Sequence, residues 1–234
     1  MSLPRFGFVT IHEQPLPDGI AAEAEWLARC AELRRASAHL WRGEPCLVVP
    51  RRYTALPGWA AAVAARPAGA VQVRASGGGL VPQGEGLWNL SLAWPAPGAT
   101  PSGTDAVYEA LCEALAAAFA RLGIAASAQP VEGSFCDGRF NLAVGGRKLV
   151  GTAQAWKRVA GVPVVLAHAV IVVTADPEAL TARANAFEQA LGTATRYRAD
   201  ALTSVAREAA GGDIEPRCLQ VIAEQFARIV RRGE

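Results

Sequence analysis

The sequence predicts an α/β (α+β) chain in which helices flank a mixed, largely antiparallel sheet. Three observations lead there. Strand-like and helix-like segments do not alternate strictly, which argues against a doubly wound parallel sheet. Three apolar strand segments follow one another between residues 140 and 174, and Gly145-Gly146 joins the first two as a hairpin turn. The 234 residues are 51% hydrophobic and 19% charged, enough for one substantial core, and no linker or internal repeat divides them. A single domain over residues 1–234 is expected.

The elements follow in order. Asp18 can cap a helix running to about Arg35, with Trp26, Leu27, Cys30 and Leu33 on one side. Cys46 to Val49 reads as a short buried strand, and Ala70 to Arg74 as another. Trp88, Leu90, Leu92 and Trp94 alternate with Asn89, Ser91 and Ala93, which is strand periodicity. Thr104 starts a helix carrying Val107, Leu111, Leu115, Ala118 and Leu122, and Gly123 supplies its stop. Strands are expected over Phe140 to Val144, Leu149 to Trp156 and Val164 to Thr174. Asp176-Pro177 opens a helix that Gly192 ends, and a last helix runs from about Pro216 to Arg231.

Composition excludes several classes of function. A net charge of +2 gives no electrostatic case for a nucleic-acid partner. Met1 to Gln14 lacks the basic flank and apolar stretch of a signal peptide. The longest uncharged apolar stretch, Ala160 to Ala175, contains Pro163 and His168 and falls short of the roughly 18 residues of a membrane span. No membrane partner is expected, and a cytoplasmic location is. Cys30, Cys46, Cys112, Cys136 and Cys218 form no C-x-x-C pair, so a reducing compartment is expected. His12, His39 and His168 show no zinc-ligand spacing, and no metal site is expected from the sequence.

Two motifs carry chemistry. Arg74-Ala75-Ser76-Gly77-Gly78-Gly79 puts three glycines at a strand end, where backbone N–H groups can approach an anion or a carboxyl-derived group. Arg74 and Ser76 could add side-chain donors. P-loop spacing fails, because Glu85 stands where the lysine must be. The second motif, Gly146-Arg147-Lys148-Leu149-Val150-Gly151-Thr152-Ala153-Gln154, sets a lysine in a tight hairpin. By composition alone Lys148 is an ordinary solvated lysine.

Residues 74–89, RASGGGLVPQGEGLWN, resemble the R-x-S-G-G-G segment of lipoate-protein ligases. Residues 146–154 resemble the G-x-K segment, ending in A-Q, shared by those ligases and the octanoyltransferases. The resemblance implies a biotin/lipoate protein ligase type of catalytic domain. It makes Lys148 the catalytic lysine, neutralising charge on an acyl carbonyl or an adenylate phosphate. It places Arg74, Ser76, Gly77, Gly78, Gly79 and Asn89 along an acyl tunnel. Gly151 would leave room for the chain, with Thr152, Ala153 and Gln154 lining the site. His168 resembles the family's H-G strand, with Ala169 in place of the glycine. Pro82-Gln83 stand where the family usually has His-Asp. A biotin-ligase branch is less similar, since its arginine-glycine loop is missing.

Two mechanisms share such a scaffold. An ATP- and Mg²⁺-dependent ligase makes an acyl-adenylate from lipoate or octanoate. A transferase takes octanoate from acyl carrier protein, or an amidotransferase moves it, through a cysteine thioester. The glycine tract with Asn89 favours the ligase, and Asn141 lies with Asp137 where ligases hold the Mg²⁺-nucleotide. Cys136, twelve residues ahead of Lys148, is the candidate nucleophile of the transferase. The acceptor would be a lysine on a lipoyl domain or a glycine-cleavage H-type carrier. A ligase this short could need an accessory chain. A degenerate member that binds acyl groups without turnover is the third reading.

Overall fold

The computed structural model describes residues 3, 4, 6, 7, 9–74, 78–96 and 103–227. Its main body is a seven-stranded sheet in the order β1-β2-β6-β10-β9-β8-β7. The strands are β1 (Val9–Ile11), β2 (Ser37–Trp41), β6 (Leu87–Pro95), β7 (Ser127–Gln129), β8 (Asn141–Val144), β9 (Arg147–Val159) and β10 (Val162–Val172). Only β1 and β2 run parallel, so the sheet is mixed and largely antiparallel, as expected. A smaller sheet sets β3 (Cys46–Pro50) between β4 (Val71–Arg74) and β5 (Val81–Gln83). The helices are α1 (Gly19–Leu33), α2 (Trp59–Ala64), α3 (Thr104–Ala120), α4 (Pro177–Ala190), α5 (Val205–Glu208) and α6 (Ile214–Phe226).

Local chemistry explains the boundaries. The Asp18 carboxylate accepts the Ala21 amide at 2.9 Å and starts α1. Asp176 does the same for α4, accepting Ala179 N–H at 3.1 Å, with Pro177 at the first helical position. Arg34, in the left-handed region at φ +48°, ends α1 one residue before the expected stop. Leu27, Cys30 and Ala31 carry the buried face of α1, while Leu33, at its end, is 51% exposed. The last helix begins at Ile214, and its expected end at Arg231 lies outside the described residues.

The core lies on both faces of the large sheet. α3 and α6 pack together across one face, burying Leu90, Leu92, Val165, Ala167, Ala169 and Ile171. Trp88 belongs to this cluster. Strand alternation turns it to the face opposite Asn89 and Ser91. The other face meets α1 at one end, where Leu27, Cys30 and Ala31 pack on Ala93, Val164 and Leu166. At the other end it meets the small sheet and α4, around Leu47, Val49, Leu80, Val172 and Phe187. The middle of that face carries the polar residues. No described helix is long and apolar enough to cross a membrane.

Candidate functional site

The site begins with an irregularity in β9. Leu142 of β8 pairs with Val150, but the next residue, Ala143, pairs with Lys148. Two residues of β9 thus oppose a single step of β8, and such a bulge re-aims the side chain it displaces. Lys148 turns inward and is 6% exposed. Its ammonium donates to the carbonyl oxygens of Phe135 and Cys136. Burial lowers its pKa from 10.5 to about 8, against the opposing pull of Cys136 and Asp137. A Cβ on Gly151 would sit 3.0 Å from both Cε and Nζ of Lys148. The glycine therefore keeps space beside the ammonium.

Cys136 lies in the loop between β7 and β8 at φ +50°, a conformation that costs a non-glycine residue roughly 1–2 kcal/mol. Bonds on either side hold it there. The Asp137 carboxylate accepts Val131 N–H at 2.8 Å, and Arg198 N–H donates to Gly133 O at 2.9 Å. The other four cysteines are buried; Cys136 is partly exposed. Its thiol faces the glycine tract. A Cβ on Gly78 would fall 2.7 Å from Cys136 Sγ and 2.9 Å from Arg74 Nη2, and one on Gly79 would fall 3.4 Å from Cys136 N. Any side chain at Gly78 would displace the thiol. Arg74 donates to Gly79 O at 2.6 Å and to Val48 O at 3.3 Å, and burial lowers its pKa. Lys148, Cys136, Arg74, Gly78, Gly79 and Gly151 are thus brought together. Ser76 and Gly77 lie outside the described residues.

A second polar group lies farther along the same face. His168 stands opposite Ala153 on β9 and Ser91 on β6. Its Nδ1 meets the Glu23 carboxylate of α1, and Ser91 Oγ lies 3.3 Å from the same nitrogen. Ser91 donates to Glu23 at 2.7 Å and accepts Trp41 Nε1–H at 2.9 Å. Burial raises the pKa of Glu23, but His168, Ser91 and Lys157 together bring it below the usual value. Serine and carboxylate meet the same ring nitrogen, so this is not a nucleophile–base–acid relay. Asn89 forms a mutual amide pair with Gln83 at 2.9 and 3.1 Å and is fully buried, which makes it a clamp between the two sheets.

Thr152 and Gln154 do not join this group. They alternate with Gly151 and Ala153 and so point to the α3 side. There Thr152 donates to Phe140 O at 2.7 Å and Gln154 to Thr104 O at 2.8 Å. The nucleotide-binding pair is not assembled either. Asp137 turns back to Val131, while Asn141 is 2% exposed and its Nδ2 lacks a partner. Among the described residues, no three His, Cys, Asp or Glu side chains cluster as metal ligands. The sequence reading missed Glu23, Ser91 and Phe135. Ser91 was legible as a polar residue in an apolar alternation. Glu23 looked like any other helix-surface acid, and Phe135 acts through its carbonyl.

Comparison with known proteins follows the same lines. The family model described as lipoyl protein ligase A/B catalytic domain matches residues 19–220. An uncharacterized protein of Cupriavidus necator is 44% identical over 209 residues, spanning 83% of this chain and 80% of the relative. A Kyrpidia tusciae protein named octanoyl-[GcvH]:protein N-octanoyltransferase is 36% identical over 240 residues, 92% of this chain and 77% of its own. The crystal structure of lipoate-protein ligase A bound with ATP superposes with a TM-score of 0.67 at 15% identity, over 95% of this chain and 84% of that one. At that identity the likeness is one of fold.

Proposed function

The chain belongs to the lipoyl protein ligase A/B catalytic domain family, and from that premise we propose that it transfers an octanoyl group between carrier proteins through a thioester on Cys136. The observation that carries this reading is the position of the thiol. Cys136 is partly exposed, held in left-handed backbone against Gly78, and flanked by the buried Lys148 and the half-buried Arg74. A thiol attacks a carbonyl as the thiolate, and these cations lie where the negative charge of the reaction would develop. The name of the Kyrpidia relative supports an octanoylated H-type carrier as donor.

The thiolate of Cys136 adds to the octanoyl carbonyl of the donor, forming a C–S bond. The displaced electron pair rests on oxygen, where the Lys148 ammonium stabilises it. Collapse breaks the C–N bond of an amide donor, or the C–S bond of a thioester donor, and the leaving group departs with the proton that the Cys136 thiol gave up. The neutral amine of a lipoyl-domain lysine then attacks the enzyme thioester, forms the new C–N bond as the C–S bond breaks, and its proton returns to the released Cys136. Nothing is oxidised, and no nucleotide is consumed. The acyl chain would lie across Gly151 and Ala153 toward His168, each buried methylene contributing about 0.8 kcal/mol.

An ATP-dependent ligase is the second reading, favoured by the superposition on an ATP-bound ligase. The positions of Asp137 and Asn141 weigh against it. Intact-mass analysis of an apo lipoyl domain separates the two. One arm supplies an octanoylated H-type carrier or octanoyl-acyl carrier protein without ATP, and the other supplies octanoate or lipoate with ATP and Mg²⁺. The proposal expects a mass gain in the first arm only, abolished in Cys136→Ser. Gain only with ATP would establish the ligase. No gain in either arm would favour a non-catalytic binder.

A further inference from the structure

Glu188, on α4, is fully buried. Among the described residues no cation pairs with it. Three hydroxyls donate to it instead: Tyr53 at 2.7 Å and Tyr197 at 2.8 Å to one oxygen, Thr193 at 2.6 Å to the other. A buried carboxylate without a cation is costly, and apolar residues of the same volume commonly stabilise a core as well or better. Its neighbours suggest another role.

Tyr197 touches the candidate site at two points. Its ring lies against Phe135, tilted by 53° with 4.7 Å between centroids, and Phe135 supplies the carbonyl that receives the Lys148 ammonium. Its hydroxyl lies 3.8 Å from where a Cβ on Gly79 would stand. The next residue, Arg198, donates its N–H to Gly133 O. Asn185, one turn before Glu188, bonds Tyr197 N and O at 2.8 and 2.9 Å. The residue-197 segment is therefore held to α4 on one side and grips the Cys136 loop on the other. Burial raises the Tyr197 phenol above its ordinary range, so it stays a donor.

We infer that Glu188 is a positioning residue, setting the Cys136 loop and the Phe135 carbonyl through Tyr197. The inference rests on Cys136 being the reactive thiol. Tyr53 supplies an internal control. It donates to the same oxygen of Glu188 but reaches it from the 3-10 turn Arg51–Ala55.

The test compares Tyr197→Phe with Tyr53→Phe. Each removes one hydrogen bond to Glu188, and each should lower thermal stability by a similar amount. The readouts are the rate at which iodoacetamide alkylates Cys136, followed by peptide mass spectrometry, and the split between kcat and carrier KM. Tyr197→Phe is expected to change the alkylation rate several-fold and lower kcat with KM unchanged. Tyr53→Phe should leave both near wild type, and Glu188→Gln should follow Tyr197→Phe. Equal effects from the two tyrosines, or none from either, would overturn the inference and leave Glu188 a structural group. Alkylation requires no acyl transfer. A Tyr197 effect on alkylation in a protein that transfers nothing would keep the positioning role and discard the proposed reaction.

Discussion

β6, β9 and β10 present two different surfaces on one set of backbones. Toward α3 and α6, Leu90, Leu92, Val165, Ala167, Ala169 and Ile171 are sealed from solvent. On the opposite face, the neighbouring positions carry Asn89, Ser91 and His168, with Gly151 and Ala153 between them. The difference follows from what covers each face. α3 and α6 together supply continuous apolar cover and make a core. On the other face α1, the small sheet with α4, and the Cys136 loop cover separate parts and leave gaps that polar groups can fill, provided each finds a partner. Stability should therefore reside mainly on one face and chemistry on the other.

The largest effects should come from separating the two. Lys148→Met should lower acyl transfer about 100-fold or more, the scale of losing a charge-stabilising donor. Because it removes a buried ammonium, it should leave the melting temperature equal or higher. A variant that melts earlier yet still turns over would break the division. The converse is Leu90→Ala on the helix-covered face. It should cost about 2–5 kcal/mol in denaturant unfolding while kcat per folded molecule stays unchanged. A matching loss of kcat would show that the faces are coupled.

The pH dependence sharpens the contrast within one residue. Lys148 is protonated below about 8, so its contribution to turnover should decline as pH rises through that value. The Lys148→Met variant should lack this declining limb. Stability moves the other way. Between about 8 and the ordinary value of 10.5 the unfolded chain holds a proton that the folded chain has released. Stability should therefore rise with pH over that window.

Smaller effects probe the polar face itself. His168→Gln removes the imidazole that meets the Glu23 carboxylate and should cost about 1–3 kcal/mol, read by thermal melting. An unchanged melting curve would mean that Ser91 suffices. Gly151→Ala puts a methyl 3.0 Å from the Lys148 ammonium, at the end of a flexible side chain. Displacement by tenths of an ångström should lower kcat several-fold, with a stability change under about 1 kcal/mol.

Much of this organisation was legible in the sequence. The β6 alternation, the hairpin at Gly145-Gly146, and the α3 and α4 boundaries all rest on contacts within a few residues. The strands β1, β2, β5 and β7 and the short helices α2 and α5 were not foreseen. Among the described residues β1 has only β2 for a partner, and β5 contains Pro82, so neither carries a local signal that outweighs its flanks. The motif residues show the same boundary. Lys148, Cys136 and the glycine tract could be named from the chain, but Thr152 and Gln154 could not be separated from Gly151 and Ala153. Spacing in a motif does not say which face of a strand is covered.

The sequence by itself determined the periodicities, the capped helices, the glycine turn and the family. Those depend on short-range sterics and hydrogen bonding. Only the tertiary structure decided that a bulge turns Lys148 inward, that Gly78 and Cys136 meet across about 58 residues of chain, and that Glu23 and Glu188 are buried at all. Those outcomes depend on which surfaces pack together. That is set by the summed burial of the whole core and by partners far away in the chain, not by any residue's own neighbours.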